Sequence, residues 1–196
     1  MYSTGQYLLF DSEGKNRGGG SGQHLATWQP NDASSLRGMW MIRPAHHEDK
    51  GEYPSSDPSI KEKTCTKAAE PVKCGSTIRL SNVETRRNLH SHNVPSPLSR
   101  QQEVSVFGGG DSKGDAGDDW IVECVKPGTD VWRRGENVRL LHAETKMYLG
   151  ASKDAEFNEK TCGRNCPLMN HLESFGRGQK DVLSEIQAEQ GIYLHV

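Results

Sequence analysis

Short runs in which apolar and polar residues alternate recur along the chain, each bounded by Gly, Asp, Asn, Ser or Pro. They are Tyr7–Phe10, Gln23–Trp28, Trp40–Ile42, Thr77–Leu80, Glu103–Phe107, Trp120–Cys124, Asn137–Leu141 and Ile192–Val196. A period of two between turn residues predicts short strands with one face turned to a core. No window carries sustained helical periodicity with caps. Only Asp181–Ala188 (DVLSEIQA) suggests a helical turn or two. The chain is expected to be all-β.

The pattern also repeats. Residues 78–92 read IRLSNVETRRNLHSH and residues 138–152 read VRLLHAETKMYLGAS, with Arg79/Arg139, Leu80/Leu140, Glu84/Glu144, Thr85/Thr145 and Leu89/Leu149 identical. A repeat of this length marks a fold assembled from copies of one supersecondary unit. Repeat two reads as four strands: Val72–Leu80, Arg87–His92, Gln101–Phe107 and Trp120–Cys124. Repeat three opens in the same way at Trp132–Leu141. Repeat one shows in its later parts, where SGQHLATW (21–28) parallels SRQQEVSVF (99–107) and GMWMI (38–42) parallels DDWIV (118–122). Trp40 and Trp120 then hold equivalent places, as core plugs inside apolar strands.

Three four-stranded units predict a β-trefoil, a barrel closed by three hairpins and so without free sheet edges. A single domain over 1–196 is expected, with repeat one at 1–44, an inserted polar loop at 45–71, repeat two at 72–127 and repeat three at 128–196. Nothing before MYSTGQ matches VKCGSTIRLSN, so repeat one is expected to lack its first strand; the chain is then a fragment, or its trefoil closes imperfectly.

Composition narrows the function. The hydrophobic fraction is 33%, and 21 Gly with 9 Pro supply many tight turns. The net charge of -2 and the lack of a basic block argue against nucleic acid and against an anionic membrane patch. No apolar run is long enough to span a bilayer. MYSTGQYLLF lacks the form of a signal peptide, which by itself says little about compartment.

The segment from Cys74 to Cys124 carries a family likeness. CG at 74–75, NLHSH at 88–92, SPLS at 96–99, QQEVS at 101–105 and DDW at 118–120 together resemble the MIR repeat of protein O-mannosyltransferases and of inositol trisphosphate and ryanodine receptors. More closely, it resembles the stromal cell-derived factor two family, whose members are little more than a MIR trefoil. GGGSGQ at 18–23 is similar to that family's Gly-Ser-Gly-Gln turn. Departures are LLFDS at 8–12 in place of an LHSH-like run, and CPLMNHLESFG at 166–176 in place of QQEV.

The resemblance implies a non-enzymatic protein of the endoplasmic reticulum lumen, or a secreted one. It implies an adaptor that associates with a J-domain co-chaperone of the luminal chaperone BiP, or with unfolded clients, in quality control linked to protein O-mannosylation. It also favours a disulfide between Cys74 and Cys124, on the first and last strands of repeat two, and hence an oxidising compartment. The alternative is two reduced, buried thiols. Two other functional readings stand beside the adaptor: a lectin-like trefoil that binds glycan directly, and an accessory MIR fragment of a larger mannosyltransferase or channel.

Chemistry-bearing residues are few. His90 and His92 fall on one face of a strand, and Gln101, Gln102 and Glu103 open the next. Together they form the candidate partner- or ligand-binding set, on the outer face of repeat two, against a structural reading in which they tie turns together. His46 and His47 read as solvated. Asp111, Asp115, Asp118 and Asp119 lack the order of a calcium loop and read as a solvated loop with Asp118 or Asp119 capping a turn. Cys162 and Cys166 pair with each other, pair with Cys65, or join His171 in an incomplete zinc set. No catalytic set, cofactor or metal site is expected.

Overall fold

The computed structural model describes residues 6–15, 20–30, 36–48, 71–108, 114–180, 184–188 and 192–195. The alternating runs fold as strands. β1 is Gln6–Lys15, β2 His24–Pro30, β3 Trp40–Pro44, β4 Thr77–Asn82, β5 Asn88–Pro95 and β6 Gln102–Phe107. β7 is Trp120–Cys124, β8 Asn137–His142, β9 Tyr148–Gly150, β10 Leu172–Glu173, β11 Phe175–Arg177, β12 Ile186–Ala188 and β13 Ile192–His195. The single described α-helical turn, Glu159–Cys162, is capped by Asn158.

All strands join one antiparallel sheet. Its path runs β10-β2-β1-β13-β12-β8-β7-β4-β5-β6-β11-β9, and a further pairing of β2 with β6 (Leu25↔Ser105) returns it to its start. The result is a closed, barrel-like sheet, which leaves few strand edges for other chains to pair with.

One sequence expectation needs partial correction here. Of the turn expected in Asp181–Ala188, Ser184 is in 3-10 form, but Ile186–Ala188 is strand β12, held by Ile186↔Val138 on β8 and Ile186↔Leu194 on β13. Asp181–Leu183 lie outside the described residues, as does most of the inserted loop, residues 49–70. Among the described residues no strand precedes β1 in the chain, and β13, from the far end, pairs with it. β13 lies between β12 and β1 (Leu194↔Tyr7), as β8 lies between β7 and β9.

The core is drawn from the buried face of these strands. Leu9, Trp28, Leu80, Leu89, Val104, Trp120, Val122, Val138, Leu140, Leu149, Leu172 and Ile186 are fully sequestered. Trp120 Nε1 donates to Leu89 O at 3.1 Å and Trp40 Nε1 to Leu9 O at 2.9 Å, each across 31 residues. The two indoles make equivalent hydrogen bonds, but only Trp120 is a core plug; Trp40 is half-buried and packs against the core from its edge.

Cys74 and Cys124 form a disulfide, Cα–Cα 5.5 Å, that staples the approach to β4 to the end of β7. Closing a loop with a separation of 50 residues contributes about 4 kcal/mol in the chain-entropy account. Cys162 and Cys166 pair with each other, so neither is a thiolate for zinc, and His171 instead shares a 2.9 Å hydrogen bond with Thr27. Cys65 is outside the described residues.

Candidate binding face

The repeated Glu-Thr segments make two matching turns. Asn82 Oδ1 accepts from Glu84 N and Thr85 N (both 3.1 Å), and its Nδ2 donates to Arg37 O at 2.7 Å. In the second turn His142 Nδ1 accepts from Thr145 N at 3.2 Å, and Nε2–H donates to Gly117 O at 3.0 Å. A neutral imidazole with its proton on Nε2 thus does what an amide does in the first turn. Burial favours that form by pushing the His142 pKa down. Arg86 and Lys146 close the turns with φ of 59° and 58°.

The first turn leads into β5, which presents His90 and His92 on one face with ring centroids 5.1 Å apart. His90 is 5% exposed, and its Nδ1 is 2.9 Å from Asp118 Oδ1 and 3.5 Å from Asp115 Oδ1. Asp118 is fully buried and also accepts from Asn88 Nδ2 and from its own cap residue, Asp115 N. Asp115 caps the 3-10 turn Ala116–Asp118 in a capping box. The expected solvated loop capped by Asp118 or Asp119 is thus corrected: the N-cap is Asp115, Asp118 and Asp119 are buried, and Asp118 closes the capping box and anchors His90, while Asp111 lies outside the described residues. Gly117 makes this fit possible, because a Cβ there would lie 2.4 Å from His90 Cε1.

The five candidate residues do not form one cluster. Gln102 and Glu103 are adjacent on β6 and so face opposite ways. Gln102 Nε2 donates to Ser91 Oγ and Thr145 Oγ1, each at 2.7 Å, bridging the β5–β6 hairpin to the second repeated turn. Glu103, 1% exposed, turns toward His92 (Oε2 to Nε2, 3.4 Å) and accepts from Ser21 N at 3.0 Å. Its Oε1 meets no donor among the described residues. Gln101 is exposed in the preceding turn, where its carbonyl accepts from Ser96 N at 2.7 Å.

His92 is part-exposed, and its pKa is lowered by burial and by the neighbouring His90, with Glu103 opposing. Phe107, 40% exposed, packs its ring 5.0 Å from His90. Sequence reasoning passed over Phe107 because it ends an apolar strand; period two from Glu103 and Ser105 was the available signal that it shares their face. The exposed surface of this region is thus His92, Phe107 and Gln101, backed by a buried polar scaffold.

Elsewhere the same scaffold recurs with other residues. Glu173 accepts from Ser96 Oγ, Leu98 N and Ser99 N at 2.7 to 3.0 Å, as Glu103 does from the Ser21 turn. Leu25 instead packs on Phe157, Cys166 and Leu168, an apolar clasp beside the second disulfide. Asp11, fully buried, accepts from Thr85 Oγ1 at 2.5 Å and from Arg87 Nη1 at 3.3 Å. His46 is not merely solvated: its backbone N and its Nδ1 both bond Asp119, at 2.9 and 2.6 Å.

Comparison with known proteins places these observations. The family model for the MIR domain matches residues 5–130. Stromal cell-derived factor 2-like protein of Dictyostelium discoideum is 36% identical over 176 residues, covering 90% of this chain and 70% of that protein. Stromal cell-derived factor 2 of Homo sapiens is 38% identical over 134 residues, 68% of this chain and 58% of the human protein. The crystal structure of the SDF2-like protein from Arabidopsis thaliana superposes with a TM-score of 0.71 at 27% identity, over 98% of this chain and 96% of that one. The S. cerevisiae protein O-mannosyltransferase Pmt1-Pmt2 complex shares the fold at a TM-score of 0.59 and 19% identity, over 96% of this chain and 27% of that one.

Proposed function

The chain belongs to the MIR-domain family of stromal cell-derived factor 2 and its relatives, and from that premise we propose that it is a non-catalytic binding module of the secretory-pathway lumen. Its role in this reading is that of an adaptor in endoplasmic reticulum quality control linked to protein O-mannosylation, with a J-domain co-chaperone of BiP, or an unfolded client, as partner. The observation that carries the proposal is the pair of disulfides, Cys74–Cys124 and Cys162–Cys166, which suit an oxidising compartment.

The non-catalytic reading is supported by the use made of the polar groups. His90, Gln102, Glu103, Asp118 and His142 are buried, and their hydrogen bonds tie one turn or hairpin to another. The exposed aromatic and imidazole at Phe107 and His92 offer a contact surface on that rigid base. We read the barrel as a β-trefoil in which β13 stands in for the first strand of repeat one; its placement between β12 and β1 supports this.

Affinity purification from the source cell, run without reductant and followed by mass spectrometry, tests the proposal. Recovery of a J-domain protein, with the Cys74–Cys124 bridge intact, is the expected result. It should fall several-fold in the His92→Ala, Phe107→Ala double variant, whose side chains lie outside the core. A reduced protein found in cytosol with no such partner would overturn the reading.

A further inference from the structure

His46 and His47 follow β3 at the start of the inserted loop, and adjacent side chains usually diverge. Here the turn at 46–48 brings the two rings to 5.6 Å between centroids in a T-shaped arrangement. Asp119, just before Trp120 on β7, completes the group: one ligating atom from each of the three residues falls within 4.8 Å of the others. From this geometry we infer a binding site for a divalent transition metal of the zinc class, formed by His46, His47 and Asp119.

Three features make the site more than a chance approach. First, the anchor is rigid. Asp119 is 5% exposed, its N–H donates to Ala116 O, and its carbonyl accepts from Ala143 N. Second, both carboxylate oxygens are committed to His46, Oδ1 to its backbone N and Oδ2 to Nδ1, so one imidazole is already oriented. Third, the His47 side chain is 64% exposed, which leaves it room to turn, and Glu48 Oε1 lies 3.7 Å from its Nε2. That carboxylate is placed to hold the second imidazole once His47 coordinates through Nδ1, as outer carboxylates do in histidine metal sites.

The donor set selects the ion. Two imidazoles and one carboxylate suit Zn²⁺ and its neighbours, whereas Mg²⁺ and Ca²⁺ prefer all-oxygen shells. Tetrahedral coordination at about 2.0–2.1 Å sets ligand atoms about 3.3 Å apart, so the group closes by a side-chain adjustment of His47. The ion takes the place of the proton between His46 Nδ1 and Asp119 Oδ2, and that proton leaves to solvent. Water fills the remaining position. Bound metal would clip the start of the inserted loop to the entrance of β7.

His90, Asp115 and Asp118 form a second group of ligating atoms within 4.8 Å. It is the weaker candidate, since it offers one imidazole rather than two, and Asp118 Oδ2 is held by Asn88 Nδ2 and Asp115 N, neither of them a metal-ligating atom. It provides the control.

The test is calorimetric titration of the full chain with Zn²⁺, with Cys65 alkylated beforehand, alongside Co²⁺ absorption spectra and thermal melts. The inference expects one Zn²⁺ per chain, Co²⁺ bands of tetrahedral type, a higher Tm with Zn²⁺ and no response to Mg²⁺ or Ca²⁺. His47→Ala, at an exposed position outside the core, should weaken Zn²⁺ at least about tenfold and abolish the Tm shift. Asp115→Asn should bind as the unaltered chain does. No saturable Zn²⁺ binding, unchanged affinity in His47→Ala, or loss of binding in Asp115→Asn would each overturn it. None of these outcomes bears on the adaptor reading, which rests on partner recovery.

Discussion

His171 shows how much a single buried side chain sets for this molecule. It is 9% exposed, hydrogen-bonded to Thr27 Oγ1 and edge-on to Phe10 at 5.9 Å. Burial strips water from the imidazolium, and the pKa falls from 6.5 to about 4. The unfolded chain therefore takes up a proton near pH 6.5 that the folded chain refuses until about pH 4. Stability from this residue is complete above 6.5, is lost progressively as pH falls toward 4, and changes no further below that. Its size is at most about 3 kcal/mol. His92 and His142, also lowered by burial, act in the same direction. Glu123 acts in a separate window: burial raises its pKa, but Lys180 and Tyr148 outweigh this, so its contribution fades only below 4.5. Urea unfolding at several pH values should show stability falling from pH 7 to pH 5. His171→Asn should flatten that slope, and an unaltered slope would show that His171 is not its source.

The repeated turn is the element that the two copies share, and it explains which of their residues match. Glu84/Glu144 and Thr85/Thr145 form the bend, while Leu89 and Leu149 plug the core. Asn82 and His142 differ in sequence yet bond the same kinds of partner. His142→Ala should cost about 2–4 kcal/mol, from a cavity and an unpaired Gly117 carbonyl. His142→Asn should recover roughly half of that, since Asn82 performs the task in the other turn; equal losses in the two variants would refute the equivalence. Elements of this kind were legible in the chain where alternation was clean. β7 has the residues read for it, and β4, β6 and β8 differ from the reading by one or two. β10 and β11 were not legible. Glu173 and Ser174 are buried there, and what makes burial tolerable for Glu173 is donors at Ser96, Leu98 and Ser99 far away along the chain. The local sequence of Asp181–Ala188 suggests a helical turn or two, whereas pairing of Ile186 with Val138 makes Ile186–Ala188 a strand.

At the scale of the whole molecule, the candidate site shows the same limit. Period two was enough to put His90 and His92 side by side, but not to show that Glu103 would be sealed by Ser21, 82 residues away. Closure of the barrel is likewise a relation between distant segments. Residues 192–195 lie antiparallel to β1, with His195 opposite Gln6, and Ala188 pairs with Ile192 across a three-residue connection. If β13 serves as the first strand of the first unit, its covalent attachment to β12 is dispensable. Joining Val196 to Met1 and opening the chain within residues 189–191 would place β13 ahead of β1, as β4 precedes β5. Every described strand pairing survives that permutation, and a three-residue connection is exchanged for a six-residue join, a doubling whose entropic difference is within about 1 kcal/mol. The permuted chain is expected to fold with both disulfides formed and with a Tm within a few degrees of the parent. Removing residues 192–196 altogether should instead expose the edges of β1 and β12 and lower Tm by ten degrees or more, on the order of the loss expected when several core contacts are deleted together. A permuted chain that unfolds, or a truncated one that melts like the parent, would show that β13 does not close the barrel.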